Sequence, residues 1–178
     1  MKKILAFAGS TSSTSINKQL ATFAAESLEH TSFDVIDLRD FTMPMYSEDE
    51  EKENGLPEDA KRFSALLDHY DGFIVSLAEH NSSYAAAFKN IYDWASRVEG
   101  SVFRDKPLLL MATSPGGMGG RFVLTAGEQR FSRQGAKELI SFSLPNFYDN
   151  FKEGKVVHKE LLTALLSKVN EFEKTVNQ

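Results

Sequence analysis

The chain has 178 residues, 42% of them hydrophobic, with a formal net charge of −5 and a pI near 5.4. That length and apolar content suit one domain around one core, and the acidic balance argues against nucleic-acid or anionic-membrane partners, which need a basic face. Cysteine is absent, which removes disulfides, thiol nucleophiles and cysteine-bound zinc or iron–sulfur clusters.

The opening stretch MKKILAFAGS has two lysines and then an apolar segment too short for a signal-peptide core, with no small-residue cleavage pattern. No run has the length of a membrane span, so a cytoplasmic protein without membrane association is expected. Lys3 to Ala8 is a continuous apolar run, suited to a strand covered on both faces. Ile16, Leu20, Phe23, Ala24 and Leu28 then recur at helical spacing, and Phe33 to Leu38 reads as a second strand. The carboxylate-rich segment Tyr46 to Asp59 reads as a solvated surface loop. A helix follows Pro57, marked by Ala60, Phe63, Leu66, Leu67 and Tyr70.

Gly72 to Leu77 is the third strand, and Phe88, Ile91, Ala95 and Val98 form a helical stripe ending at Gly100. Pro107 to Ala112 is the most apolar strand and is expected at the sheet centre. A weaker helical pattern runs from Arg121 to Gln134, a fifth strand from Leu139 to Leu144, and a closing helix carries Leu161, Leu165, Val169, Phe172 and Val176. Five βα units in succession predict a single α/β domain over residues 1–178, its sheet parallel and its helices on both faces.

Ligands of open α/β sheets bind beyond the carboxyl ends of the strands, where strand order reverses. Three of those ends are unusual here. The first, Gly9 to Asn17 (GSTSSTSIN), lacks both the dinucleotide fingerprint and the P-loop lysine. Its hydroxyls at Ser10, Ser12 and Ser15 and the helix N-terminus behind them can bind an anion; they serve equally well to cap the helix and fill a turn. The second, Glu79 to Tyr84, sets a carboxylate, an imidazole, an amide and hydroxyls before a helix. It suits the polar edge and face of a heterocycle, or simply an exposed loop. The third, TSPGGMGGR, carries four glycines between Gly116 and Gly120. They allow close backbone approach to a ligand, or make a mobile turn.

Ala112 to Gly116 approximates a nucleophile elbow with Ser114 as the serine of a hydrolase. The residue after it is Pro115, which has no N–H for an oxyanion hole. The four histidines are scattered and form no metal motif, so no metal site is expected. Tyr92 and Trp94 are read as core or interface residues, and Arg121 and Arg130 as surface cations.

Taken together, these segments resemble the NADPH-dependent FMN reductase family, a flavodoxin-like group that includes quinone, azo-dye and chromate reductases. Gly9-Ser10-x-x-x-x-Ser15-x-Asn17 is similar to that family's phosphate loop. EHNSSYAAAFKNIYDW (Glu79 to Trp94), KPLLLMATSPGGMGG (Lys106 to Gly120) and DLRDFTMPMY (Asp37 to Tyr46) resemble its other conserved stretches. The resemblance implies a doubly wound five-stranded parallel sheet of order 2-1-3-4-5 in three α/β/α layers. It implies FMN as cofactor, with Ser10, Ser12, Ser15, Ile16 and Asn17 around its phosphate and ribityl chain. Glu79, His80 and Asn81 would run along the isoalloxazine, and Ser114, Gly116 and Gly117 would meet its pyrimidine edge. NAD(P)H would be the co-substrate and a quinone, azo compound or free flavin the electron acceptor. No side chain is implied as catalytic acid or base, and a homodimer or homotetramer is expected. The rival from another class is a flavodoxin-type electron carrier that holds FMN without consuming NAD(P)H.

Overall fold

The computed structural model describes residues Met1–Gln178. In chain order the strands are β1 (Lys3–Gly9), β2 (Ser32–Val35), β3 (Gly72–Leu77), the short pair β4 (Glu79–His80) and β5 (Ser83–Tyr84), β6 (Lys106–Thr113), β7 (Ala136–Leu144), and a second short pair, β8 (Phe151–Lys152) and β9 (Lys155–Val156). Five of them form the central sheet in the order β2-β1-β3-β6-β7. All of its pairings are parallel. Counted among sheet strands alone, this is the 2-1-3-4-5 winding that the family resemblance implies. The β6–β7 register shifts between Pro107 and Leu109, where proline offers no N–H to the ladder.

The helices are α1 (Ile16–Glu26), α2 (Glu48–Asn54), α3 (Glu58–Leu67), α4 (Ala86–Val98), α5 (Arg121–Phe131), the single turn α6 (Phe147–Asn150) and α7 (Lys159–Val176). Alternation along each strand divides the core into two layers. Leu5, Phe7, Phe73, Val75, Leu77, Leu108 and Leu110 point to the side covered by α3, α4 and α5, where Phe63, Phe88, Val123 and Phe131 meet them. Ile4, Ala6, Ile74, Leu109 and Met111 point to the other side, against Leu20, Ala24, Leu165, Val169 and Phe172 of α1 and α7. Burial on both faces is why these strands read as unbroken apolar runs.

The sheet centre is held by β3 and not by β6, and β2 ends at Val35, short of Leu38, which opens a 3-10 turn; three further local features depart from the sequence reading. The acidic segment is not a bare loop, because Glu48–Asn54 is helical although none of its residues is buried. Ser47 caps it, its Oγ accepting from Glu50 N at 3.0 Å, and four carboxylates sit in its first turn, where the helix dipole favours negative charge. Arg97 Nε then fixes Glu51 to α4 at 3.0 Å. Second, β7 begins at Ala136 rather than Leu139, and α5 ends at Phe131 in a 3-10 turn over Ser132–Gln134. Third, α6 and the β8–β9 hairpin fold where no periodic pattern announces them. Trp94 is fully buried with its indole N–H donating to Pro44 O at 2.8 Å, in keeping with a core role.

Candidate functional site

Strand order reverses at β1, with β2 on one side and β3 on the other, so the carboxyl ends of β1, β3 and β6 frame a crevice. A cavity of about 250 Å³ lies there, lined by Ser10, Ser12, Thr14, Ser15, Ile16 and Asn17 after β1, Ala78 to His80 after β3, Thr113 to Pro115 after β6, and Tyr148 of α6. Three strand ends that are far apart in sequence therefore share one space. Asn81, Gly116 and Gly117 lie outside this lining, Asn81 at the tip of a hairpin and the glycines in the loop after Pro115. The volume is just below the usual range for ligand pockets, about 300–1,000 Å³. It has room for a phosphate and part of a polyol chain.

The loop after β1 is folded by its own hydroxyls. Ser10 Oγ accepts from Ser12 N at 3.1 Å and Ser12 Oγ from Thr14 N at 3.3 Å. Ser15 is the N-cap of α1, its Oγ accepting from Lys18 N at 3.1 Å, which leaves the hydroxyl proton available to a ligand. The N–H groups of Ile16 and Asn17 have no protein acceptor and project from the positive end of the helix dipole. Asn17 itself is turned inward. It is 3% exposed, its Nδ2 donates to Thr113 O at 3.2 Å, and its Oδ1 accepts from Thr113 N at 3.0 Å and Ser76 Oγ at 2.7 Å. Its side chain joins α1 to β3 and β6, and its backbone N–H is left without a protein acceptor.

After β3 the chain turns back on itself as β4–β5, with Asn81 at φ 51° and Ser82 at φ 61°. Two successive left-handed residues make the tight hairpin turn that asparagine favours. Glu79 Oε2 accepts from Val123 N at 3.0 Å, so this carboxylate neutralises the N-terminal turn of α5. No surface cation pairs with it. His80 and Asn81 stand exposed at the mouth.

The glycine loop after β6 divides in two. At Gly119 and Gly120, φ is +58° and +73°, and a Cβ would lie 2.4 Å from Ser143 Oγ or 2.9 Å from Ala112 Cβ. The fold itself requires glycine at both. At Gly116 a Cβ would meet nothing within 4 Å, and at Gly117 only Asn146 Oδ1 at 3.8 Å. Neither backbone geometry nor packing demands glycine there. Their N–H groups have no protein acceptor. This is the arrangement a flat polar ligand edge needs for close approach, and with the α1 N-terminus it fits a flavin mononucleotide. Ser114 Oγ makes only a 3.4 Å contact to Gly116 O.

Thr14, Ala78, Thr113, Pro115 and Tyr148 are lining residues that the sequence reading did not single out. Ala78, Thr113 and Pro115 adjoin residues that were, so strand-end position alone points to them. Tyr148 arrives from α6 beyond the last sheet strand, 60% exposed, its ring packed edge-on to Phe147 at 5.5 Å. Arg121 is exposed at the start of α5, and Arg130 faces a different cavity.

A parallel sheet in this winding order, with helices on both faces and a crevice at the reversal point, defines a flavodoxin-like α/β protein. Within that class, residues 2–147 match the NADPH-dependent FMN reductase family, and the chain belongs to it. Among curated relatives, a 2-hydroxy-1,4-benzoquinone reductase of Burkholderia sp is 37% identical over 119 residues, 66% of this chain and 63% of that protein. The quinone reductase of Escherichia coli K12 is 31% identical over 78 residues, 44% of this chain and 42% of the relative. The matched part thus spans less than two thirds of either relative's length. The fold is shared with FerB, a flavoenzyme NAD(P)H:(acceptor) oxidoreductase from Paracoccus denitrificans, at a TM-score of 0.77 and 24% identity, covering 99% of this chain and 98% of that one. It is shared too with an FMN-dependent NADH-azoreductase of Bacillus anthracis in complex with FMN, at a TM-score of 0.64 and 13% identity, covering 99% and 98%.

Proposed function

We propose that this chain is an NAD(P)H-dependent oxidoreductase that holds FMN and passes electrons to small quinone-type acceptors. The observation that carries the reading is the pair of glycines at Gly116 and Gly117, which the fold does not need, next in the chain to Pro115, which lines the crevice together with the open N-terminus of α1. Family membership and the names of the two relatives support the choice of cofactor and acceptor class.

In this reading the hydroxyls of Ser10, Ser12 and Ser15 and the N–H groups of Ile16 and Asn17 hold the phosphate and ribityl chain. Glu79, His80 and Asn81 border the ring, Glu79 acting through its hold on α5 and His80 as the exposed flank. Ser114 and the N–H groups of Gly116 and Gly117 meet the pyrimidine edge, where donors aimed at an accumulating negative charge stabilise it. The bound flavin supplies hydride and electron transfer, and the protein supplies binding and orientation. Nicotinamide and acceptor would bind in turn at the exposed flank beside His80.

A visible absorption spectrum of the purified protein, and identification of any flavin released on heating, test the cofactor. NAD(P)H consumption dependent on added benzoquinone, with FMN supplied, tests the activity. FMN bound without such consumption would make the chain an electron carrier, and no FMN binding at all would overturn the reading.

A further inference from the structure

Four of the seven arginines in the chain are held by carboxylates: Arg39 by Asp37, Arg62 by Asp59, Arg97 by Glu51 and Arg104 by Asp68. The other three, Arg121, Arg130 and Arg133, all lie on α5 or the turn that ends it. Two of these line a second cavity, of about 680 Å³, between α4 and α5. It shares no lining residue with the strand-end crevice.

The inner wall of this cavity holds an unusual pair of side chains. Tyr92 is 5% exposed, and neither its hydroxyl nor that of Tyr84, both shielded from solvent, has a hydrogen-bond partner. Buried polar groups in native proteins are almost always paired, so two orphans in one cavity call for a partner. Arg130 lines the same cavity, close enough that its charge opposes the upward shift of both phenols, and closest to Tyr92, yet neither hydroxyl has a partner within hydrogen-bond geometry. The one carboxylate in the wall, Asp93, is neutralised by Lys89 at 2.8 Å. What remains is two hydroxyl donors and two guanidiniums around one space, in a chain whose net charge is −5. Burial pushes each phenol up to about 12, so both are protonated donors at neutral pH.

We propose that this cavity is a binding site for a small oxyanion, a phosphate or carboxylate group received by the Tyr84 and Tyr92 hydroxyls and the guanidinium of Arg130, with Arg133 at the rim. Guanidinium and hydroxyl donors converging without an acceptor of their own are the complement of such a group. Tyr84 is also the ladder partner of Glu79 across β4–β5, so the site adjoins the hairpin at the mouth of the first crevice. The inference stands whether or not the protein holds a flavin.

The test is a calorimetric titration of the full chain with inorganic phosphate and, separately, malonate at constant ionic strength. Each is run with saturating FMN, which blocks the α1 cradle, and again without it. Saturable binding in the presence of FMN is expected. Arg130→Ala should weaken it at least tenfold and Tyr92→Phe severalfold, while Arg62→Ala, which removes a surface cation elsewhere, should leave it unchanged. Tyr92→Phe should also raise the melting temperature of the anion-free protein, because it removes a buried hydroxyl that has no partner. Absence of saturable binding would overturn the proposal, as would equal weakening by Arg62→Ala. So would sedimentation showing self-association through this face that Arg130→Ala abolishes, because the occupant would then be a carboxylate of a second copy.

Discussion

Asn17 is the residue whose role the structure redefines most, and Asn17→Ala measures it. Its amide makes three hydrogen bonds, to Thr113 O, Thr113 N and Ser76 Oγ, at 3.2, 3.0 and 2.7 Å. Thr113 and Ser76 are 1% and 0% exposed, so truncation leaves a carbonyl, an N–H and a hydroxyl unpaired away from water. Each such orphan costs about 1–3 kcal/mol. Losses within one network do not add in full, and a total of about 3–5 kcal/mol is expected. At about 2–4 °C per kcal/mol for a chain of this size, the melting temperature should fall by about 6–20 °C. The assay is thermal unfolding of flavin-free protein followed by circular dichroism. Asn17→Asp keeps the acceptor oxygen for Ser76 and Thr113 N but sets a second oxygen against Thr113 O, so an intermediate loss should follow. A shift under about 2 °C combined with loss of FMN binding would refute the reasoning, because Asn17 would then be a ligand contact and not a join between α1 and the sheet.

Other outcomes follow from the same geometry. Gly119→Ala, with its Cβ 2.4 Å from Ser143 Oγ at φ +58°, should lower the melting temperature of the flavin-free chain, whereas Gly116→Ala should leave it unchanged and weaken FMN binding in a fluorescence titration. Equal effects of the two on stability would contradict the division of that loop. Ser15→Ala removes the α1 cap, at about 1 kcal/mol, and a hydroxyl donor to the phosphate, so FMN affinity should drop about tenfold, as a hydrogen bond to a charged group implies; undiminished flavin retention would count against the cradle. Glu173, 5% exposed, accepts from His30 N at 2.7 Å, Thr31 Oγ1 at 2.7 Å and Glu29 N at 3.1 Å. Burial pushes its carboxyl up, but these three donors outweigh that and hold it below its ordinary 4.5. A pKa lower in the folded than in the unfolded state stabilises at neutral pH and loses that contribution as pH falls through the folded value. Urea denaturation should therefore show Glu173→Gln clearly weaker than the wild type at neutral pH, with the difference shrinking below pH 4.5; a gap independent of pH would exclude the linkage.

The sheet was legible because its strands are covered on both faces, so Ile4 to Ala8 or Leu108 to Ala112 carry an unbroken apolar signal with turn residues at either end. Glycines and hydroxyls at three strand ends likewise located the crevice, because topology fixes where those ends converge. What the sequence could not disclose is where individual side chains go. Asn17 finds its partner 96 residues away, and Glu79 finds its own 44 residues away at Val123 N. Neither spacing has a local signature, so neither hydrogen-bond partner can be read from the sequence. Helix α2 was missed for a different reason. Periodicity detects a helix only by the face it buries, and Glu48–Asn54 buries none. Its stability comes from a serine cap, from charge at the dipole's positive end, and from Arg97 reaching across from α4, which lies well outside any local window. Tyr148 escaped because a single exposed aromatic in a four-residue helix carries no pattern.

The electrostatics of the α1 cradle follow from the same distant pairings. Lys18, in the first turn of α1, is the basic residue closest in sequence to the hydroxyl loop, yet its ammonium lies 2.6 Å from Asp37 Oδ2. Asp37 also holds Arg39 at 2.8 Å, and Arg39 first, then Lys18, keeps that carboxyl well below the usual range. The carboxylate therefore stays ionised and keeps both cations engaged. No arginine or lysine is among the residues that line the crevice. An anion bound there would be met by hydroxyls, N–H groups and the end of a helix, each fixed by the backbone. Recognition of that kind depends on the geometry of the turn more than on net charge, and the turn is set by Ser10, Ser12 and Ser15 bonding to their own neighbours and by Asn17 anchoring the helix start. Among the residues that resemble a phosphate signature, Asn17 thus has two parts: its side chain holds the helix start in place, and its backbone N–H stays free with that of Ile16.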